Sequence, residues 1–236
     1  MKKNYIVFFD FDNTITAYDV IDDMLERFSK DDRWMELERR WKKWEIGSGE
    51  CLKGQMAGIR ITSSALDRYL STVKLDPYFK RVVKLLKSKK IRVIILTDNF
   101  DYITSRILRY NNISGIDTYC NTLKVTKGRL IPSFPFINRD HRECGHCKKK
   151  NLLAKAEEAS TTVYVGDGLS DLCPSREADI VFAKGSLQKY LKKEKLGYIP
   201  FKGLKDVYKY FKNMPIGGLV RRSLATEGGG RRRIGS

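Results

Sequence analysis

The chain has 236 residues and a mass of 27.3 kDa, with 42% hydrophobic and 31% charged residues, which excludes a disulfide-stapled miniprotein, a collagen and a disordered protein. No segment approaches the roughly 18 apolar residues of a membrane span, and the N-terminus lacks the pattern of a secretion signal, so we expect a soluble cytoplasmic protein. The formal net charge of +18 predicts attraction to anions, among them phosphorylated metabolites and nucleic acids.

Four apolar runs have the length and composition of buried parallel strands. These strands are predicted at residues 5–9, 91–96, 162–165 and 180–182, and helices at residues 77–89, 101–111 and 147–159. Alternating strands and helices predict an α/β fold with a doubly wound, mostly parallel, Rossmann-like sheet. Ligands of such sheets bind beyond the carboxyl ends of the strands.

Residues 17–76 interrupt this alternation, since their patterns are helical only. One helical stripe there contains Trp34, Leu37, Trp41 and Trp44. We interpret the stripe as packing within a small helical bundle, with the lining of a substrate pocket as the alternative. The sequence therefore predicts a core domain of residues 1–16 and 77–213 with an inserted all-helical cap of residues 17–76. Residues 117–134 predict a β-hairpin, and residues 214–236 a disordered basic tail.

Polar residues cluster where the predicted strands end. Asp10 and Asp12 follow the first strand, and Thr97 follows the second. Asp167 and Asp171 follow the third. Because these ends meet at one edge of the sheet, the side chains are expected to converge. Paired carboxylates can divide nucleophilic attack and proton transfer between them, and a carboxylate cluster implies a hard cation such as Mg²⁺.

These motifs resemble, in order, those of the haloacid dehalogenase (HAD) superfamily of aspartate-nucleophile phosphatases. They are DFDNT at residues 10–14, the strand ending at Thr97, a lysine, and GDGLSD at residues 166–171. The position of the cap resembles that in the subclass containing phosphoserine phosphatase. Residues 46–55 and 144–148 resemble segments of the methionine-salvage phosphatases, which act on 2-hydroxy-3-keto-5-methylthiopentenyl-1-phosphate. The second segment is also similar to one in the phosphoethanolamine/phosphocholine phosphatases.

The resemblance implies a role for each motif residue. Asp10 is the implied nucleophile, which becomes an aspartyl-phosphate, and Asp12 is the implied acid and base. The implied Mg²⁺ site comprises Asp10, Asp12, Asp167 and Asp171. Thr97 and Lys148 are the implied phosphate-binding residues; Lys148 is chosen among four lysines (Lys148, Lys149, Lys150 and Lys155) by its place after Cys147. Asp19 falls where phosphoserine phosphatases carry a substrate-sensing glutamate, and Asp98 is an extra carboxylate where many relatives carry small residues.

We therefore predict a Mg²⁺-dependent phosphomonoester hydrolase acting on a small phosphorylated metabolite. A methionine-salvage substrate is favoured, with phosphoserine and phosphoethanolamine or phosphocholine as alternatives. Phosphoryl transfer to another hydroxyl and nucleic-acid binding on a HAD scaffold are further alternatives, although the dispersed lysines and arginines favour a solvated surface over a nucleic-acid interface. A possible zinc site, which competes with a plain turn, involves Cys120, His141, Cys144, His146 and Cys147.

Overall fold

The computed structural model describes residues 4–137, 144–156 and 161–214. Its strands are β1 (Tyr5–Phe9), β2 (Arg92–Phe100), β3 (Asp117–Thr126), β4 (Arg129–Ser133), β5 (Thr161–Gly166), β6 (Ile180–Ala183) and β7 (Ile199–Pro200). They form one seven-stranded sheet in the order β4-β3-β2-β1-β5-β6-β7. All neighbouring strands are parallel except β3 and β4, which form the predicted antiparallel hairpin. The predicted tail lies outside the described residues, apart from Met214.

Four helices follow β1: α1 (Val20–Phe28), α2 (Arg33–Lys42), α3 (Ser48–Gly58) and α4 (Ser63–Thr72). The remaining helices alternate with the strands: α5 (Phe79–Ser88), α6 (Asp101–Tyr110), α7 (Lys148–Ala156), α8 (Leu172–Glu177), α9 (Gly185–Lys193) and α10 (Leu204–Lys212). In the part of the chain that the structure describes, none of these helices is long and apolar enough to cross a membrane. The predicted division into a core domain and a cap domain stays a prediction.

The doubly wound α/β class is confirmed, and β1 shows its physical basis. All five residues of β1 are buried, as its continuous apolar run predicts. Val7 and Phe9 point to the face covered by α5 and α10, whereas Ile6 and Phe8 point to the face covered by α7 and α9. Helices on both faces thus leave only the ends of the central strands open to ligands.

The strand boundaries differ from the prediction at β2. This strand continues to Phe100 rather than ending at Leu96, with an irregular register against β3 between these two residues. The polar residues Asp98 and Asn99 weaken the apolar signal over these positions, which explains the early predicted end. β7, of two residues, is too short to be seen in the pattern.

Our interpretation of the tryptophan stripe as packing holds only in part: Trp34 packs against the main core cluster. No residue of α2 is fully buried, and Trp44, just beyond its end, is 56% exposed. The interpretation as bundle packing is therefore wrong for Trp44. Trp41 lines the cleft described below, which agrees with the alternative interpretation. A Cβ at Gly54 would lie 2.6 Å from Leu37 Cδ1, so this glycine allows α3 to pack closely against α2.

Candidate active site

A cleft lies between the carboxyl ends of β1, β2 and β5 and the helices α1–α3. Seven of the eight predicted site residues line it: Asp10, Asp12, Asp19, Thr97, Asp98, Lys148 and Asp167. The eighth, Asp171, is fully buried and hydrogen-bonded to Lys148. The structure thus brings together side chains from β1, β2, α1, α7 and the segment after β5, as the convergence of strand ends predicts.

Lys148 Nζ joins two carboxylates at the bottom of this cleft. It lies 2.5 Å from Asp10 Oδ1 and 2.8 Å from Asp171 Oδ1, and it donates to Ser170 Oγ at 3.0 Å. Burial lowers the pKa of Lys148, but Asp10 and Asp171 raise it more, so the amine stays protonated. Lys149 instead pairs with Glu177. The contacts therefore identify Lys148, and not Lys149, as the lysine of the site.

The buried Asp10 carboxylate lies close to two other carboxylates and one ammonium group. Its burial and the nearby carboxylates of Asp171 and Asp167 raise its pKa well above the usual value, while Lys148 lowers it. Such a carboxylate is stabilised by added positive charge. It sits directly after β1, at the centre of the sheet, where the Asp10 amide donates to the Val165 carbonyl at 2.9 Å.

Asp167 is held by the two residues that complete the first motif. Asn13 Nδ2 donates to Asp167 Oδ2, and Thr14 Oγ1 donates to Asp167 Oδ1, both at 2.7 Å. Asn13 has a positive φ of 50°, a conformation that asparagine tolerates better than most residues. The first motif therefore supplies Asp10, and its Asn13 and Thr14 also hold the Asp167 carboxylate in place after β5. Our sequence analysis assigned no role to Asn13 or Thr14.

Asp12 is oriented by an amide that sequence reasoning also missed. Asn99 Nδ2 lies 2.9 and 3.1 Å from the two carboxylate oxygens of Asp12, and the Val20 amide donates to Oδ1 at 3.0 Å. Burial raises the pKa of Asp12 to about 6 against these hydrogen bonds. This pKa allows the carboxyl group both to give and to take a proton near neutral pH. Asn99 Oδ1 and Thr97 Oγ1 accept from the backbone amides of Phe100 and Asn99, which stiffens the segment.

Asp171 has a complete set of hydrogen-bond donors within the protein. Its Oδ1 accepts from Lys148 Nζ and from the Tyr164 hydroxyl at 2.7 Å. Its Oδ2 accepts from the amides of Asp167 and Gly168. A carboxylate offers about four acceptor positions, so Asp171 has none in excess. This arrangement supports a role in positioning Lys148 and the Asp167 segment.

The donor set fits a hard divalent cation. One carboxylate oxygen from each of Asp10, Asp167 and Asp171 lies within 4.8 Å of the others. All these donors are oxygen atoms, the ligands that Mg²⁺ prefers, and burial and Asp171 raise the pKa of Asp167, so a cation would relieve repulsion. Asp10 and Asp167 retain free acceptor positions for it, whereas the acceptor positions of Asp171 are filled, so Asp171 would support the site without binding the cation directly.

The two predicted substrate contacts, Asp19 and Asp98, both line the cleft. Asp19 caps α1, accepting from the Asp22 amide at 3.0 Å, and its pKa is raised well above normal by burial and by the Asp12 charge. Asp98 Oδ2 accepts from Ser48 Oγ at 3.1 Å. Ser48 Oγ in turn accepts from the Gly145 amide at 2.7 Å, so this serine on α3 contacts both the end of β2 and the segment before α7.

His146 anchors the segment that precedes the lysine helix. Its Nδ1 donates to the Thr97 carbonyl and its Nε2 accepts from Asn151 Nδ2, each at 2.6 Å, and its ring stacks on Phe136. Both ring nitrogens are therefore engaged, which argues against the zinc alternative. Among the described residues, the metal-capable cluster is the aspartate group and not the cysteines. His141 lies outside the described residues.

Acid is expected to weaken the fold through His146. Burial lowers its pKa from 6.5 to about 4, so between these values the unfolded chain binds a proton that the folded chain does not. The free energy of unfolding should therefore fall by about 2 kcal/mol between pH 7.5 and pH 5 because of this residue. Urea unfolding at both pH values should show a smaller decrease for His146→Gln. Equal decreases for both proteins would contradict the assignment.

A family profile and two sequence relatives match most of this chain. The profile of the haloacid dehalogenase-like hydrolase family matches residues 7–174. The chain is 28% identical over 220 residues to Pdp3-interacting factor 1 of Schizosaccharomyces pombe, covering 88% of this chain and 95% of that protein. It is 25% identical over 213 residues to a 2-hydroxy-3-keto-5-methylthiopentenyl-1-phosphate phosphatase of Exiguobacterium, covering 88% and 97% of the two chains.

Solved structures share the fold. A substrate-bound phosphoserine phosphatase matches with a TM-score of 0.69 and 19% identity, covering 89% of this chain and 99% of that one. A HAD family hydrolase of Salmonella enterica matches with a TM-score of 0.71 and 18% identity, covering 90% and 73% of the two chains. At such identities the match concerns architecture. The α/β arrangement predicted from strand and helix alternation is thus shared with hydrolases of known structure.

Proposed function

Because this chain belongs to the haloacid dehalogenase-like hydrolase family, we propose that it is a Mg²⁺-dependent phosphomonoester hydrolase acting through an aspartyl-phosphate on Asp10. The observation that carries the proposal is the cluster of Asp10, Asp167 and Asp171 at the strand ends, in which Lys148 pairs with Asp10 and Asp171. Phosphoryl transfer to an aspartate requires a carboxylate nucleophile, a positively charged group that binds the phosphate, and a cation-binding cluster, and this site offers all three.

In the first step, a carboxylate oxygen of Asp10 attacks phosphorus and the bond to the leaving-group oxygen breaks. Lys148 and the Thr97 hydroxyl bind the phosphate oxygens, and Lys148 offsets the charge that the transferring group carries. Asp171 keeps Lys148 in place for this task. Asp10 and Asp167 would hold Mg²⁺, which would supply positive charge that reduces repulsion between the nucleophile and the phosphate.

Asp12 moves the proton in both halves of the reaction. Its carboxyl group protonates the departing alkoxide, and the resulting carboxylate then takes a proton from the water that hydrolyses the aspartyl-phosphate. The pKa of about 6 supports both duties. Asn99 holds both carboxylate oxygens and is therefore a positioning residue. An available base for water favours hydrolysis over phosphoryl transfer to another hydroxyl.

The substrate is a small phosphorylated metabolite, which binds in the cleft. A methionine-salvage substrate is supported by the named relatives at 23–26% identity, and phosphoserine by the fold of the structural neighbours. Nucleic-acid binding has weaker support, because the predicted catalytic residues converge in a cleft. Within the described residues, that cleft contains one basic side chain.

The proposed function predicts Mg²⁺-dependent hydrolysis of p-nitrophenyl phosphate. Activity should disappear with excess EDTA and return with Mg²⁺, and Asp12→Asn should lower kcat by about 10²–10⁴-fold because the base that activates water against the aspartyl-phosphate is lost. Release of p-nitrophenol measures the rate. Asp32→Asn, on an exposed residue, is the matched control and should retain full activity. Hydrolysis that persists without divalent cations, or with unchanged kcat in Asp12→Asn, would contradict the proposal.

A further inference from the structure

A tyrosine hydroxyl lies behind the charged cluster of the site, in surroundings that favour an apolar side chain. Tyr164, on β5, is fully buried and belongs to the cluster of apolar residues that contains Phe8 and Leu152. A buried hydroxyl costs free energy unless it forms a hydrogen bond, and phenylalanine would fill nearly the same space without that cost. The Tyr164 hydroxyl donates to Asp171 Oδ1 at 2.7 Å. Within the described residues, Tyr164 is not part of the lining of the cleft, so its contact with the site is through Asp171.

Tyr164 and Asp171 pack against one glycine at the end of β5. A Cβ at Gly166 would lie 2.5 Å from Asp171 Oδ2 and 2.9 Å from Tyr164 Cε1, so a larger residue would displace these side chains. The Asp171 side chain is fully buried, and among the described residues its Oδ1 has two donors, the Tyr164 hydroxyl and Lys148 Nζ. The tyrosine and the lysine therefore share the charge of one carboxylate oxygen.

Lys148 contacts both the buried side and the open side of the charged cluster. Its ammonium has three N–H donors, and the structure gives it three acceptors: Asp171 Oδ1, Asp10 Oδ1 and Ser170 Oγ. Asp10 and Ser170 line the cleft, whereas Asp171 is not among the described residues that do so. A phosphate oxygen that accepts from Lys148 would therefore replace Asp10 or Ser170. The hydrogen bond to Asp171 is the contact of the amine that the phosphate leaves in place.

We propose that Tyr164 is a positioning residue, which acts through Asp171 to hold the Lys148 ammonium where the phosphate binds. This inference rests on the proposed function, in which Lys148 offsets the charge of the transferring group. With the tyrosine hydroxyl in place, Asp171 Oδ1 divides its charge between two donors. Without it, Lys148 is the one donor to this oxygen among the described residues, and the amine is held more strongly by Asp171 at the expense of the phosphate.

Tyr164→Phe removes one oxygen atom and keeps the ring, so it isolates the hydroxyl. With p-nitrophenyl phosphate and Mg²⁺, kcat and kcat/KM should both fall by about tenfold while KM stays nearly unchanged, the pattern expected when transition-state stabilisation is lost. The inhibition constant of vanadate, which mimics the transferring phosphoryl group, should rise by a similar factor. A purely structural role would change the stability of the protein and leave KM, kcat and vanadate affinity of the folded enzyme unchanged.

A double-mutant cycle shows whether Tyr164 acts through the lysine. In the wild-type background Tyr164→Phe should cost about a factor of ten in kcat/KM, whereas in the Lys148→Met background it should cost less than about twofold, because the amine that it positions is absent. A tenfold loss in both backgrounds would show that Tyr164 acts independently of Lys148 and would overturn the inference.

The matched control is Tyr69→Phe. The Tyr69 hydroxyl also donates to an aspartate, Asp23 Oδ2 at 2.7 Å, but among the described residues neither partner lines the cleft. This variant loses the same kind of hydrogen bond and should keep the wild-type kcat/KM. Wild-type kcat/KM in Tyr164→Phe, or an equal loss in Tyr69→Phe, would overturn the inference while the phosphatase function still holds. A wild-type protein that hydrolyses no phosphomonoester with Mg²⁺ would overturn both.

Discussion

Asp10→Asn is expected to lower kcat/KM by at least about 10⁴-fold, which corresponds to about 5 kcal/mol of lost transition-state stabilisation. The amide has nearly the shape of the carboxylate, but its oxygen is a far weaker nucleophile for phosphorus. The neighbouring groups remain in place, because Asp171 and Ser170 still accept from Lys148. Phosphate release from p-nitrophenyl phosphate in the presence of Mg²⁺ measures the loss.

The stability of this variant should separate a lost nucleophile from a lost fold. The pKa of Asp10 is raised well above normal because burial and the carboxylates of Asp171 and Asp167 disfavour its charge. A neutral amide removes that cost, so the free energy of unfolding should be unchanged or higher. Asp117→Asn, on an exposed residue, is the control and should keep wild-type activity. Activity within tenfold of wild type in Asp10→Asn would contradict covalent catalysis at this residue.

The sequence predicted much of the fold because the central strands are buried on both faces. A strand such as β1 needs apolar side chains at every position, so it appears as an uninterrupted run, and the polar residue that ends the run marks the edge where ligands bind. Asp10, Thr97 and Asp167 were therefore found from local pattern alone. Their meeting in one cleft follows from the topology of the sheet.

The parts that sequence reasoning missed depend on packing between distant segments. Asn99 follows Asp98 at the end of β2, and nothing in its local pattern shows that its amide reaches Asp12. One signal was available: an amide and a carboxylate placed directly after Thr97, where small residues are common in relatives. Asp22 and Glu38 also line the cleft, which is harder to predict, because it depends on how α1 and α2 lie over the sheet.

The position of Trp44 was predicted wrongly because the local pattern does not show where the helix ends. Helical periodicity placed it on the stripe with Trp34 and Trp41, yet α2 ends at Lys42 and Trp44 adopts a positive φ of 61°. A periodic pattern continues to predict a face after the helix has stopped. The end of the helix therefore separates a tryptophan that lines the cleft from one that is exposed.

Lys148→Met is expected to damage both catalysis and stability. Methionine fills similar space without charge, so the phosphate loses its ammonium partner, and kcat/KM should fall by about 10³-fold or more. The variant also leaves Asp10 and Asp171 buried together with no cation between them. Removing one partner of a buried ion pair costs about 3–5 kcal/mol, and we expect the free energy of unfolding at pH 7.5 to fall by that amount.

The pH dependence of this loss distinguishes an electrostatic cause from poor packing. Without Lys148, the folded-state pKa of Asp10 rises further above its unfolded value, so the variant is most stable at low pH and loses stability as pH rises through the folded-state pKa of Asp10. The difference in unfolding free energy between wild type and Lys148→Met, measured by urea unfolding in buffer without divalent cations, should therefore narrow from pH 8 to pH 5.

The matched control for this variant is Lys149→Met on the same helix. Lys149 is partly exposed and pairs with Glu177 at the surface, and such pairs contribute about 0–1 kcal/mol. We expect near-wild-type activity and stability for this control. A difference between wild type and Lys148→Met that stays constant with pH would indicate a packing defect, and unchanged kcat/KM would remove Lys148 from the phosphate site. Comparable losses in both variants would show that the two lysines are not distinguished by burial, contrary to the geometry around Asp10.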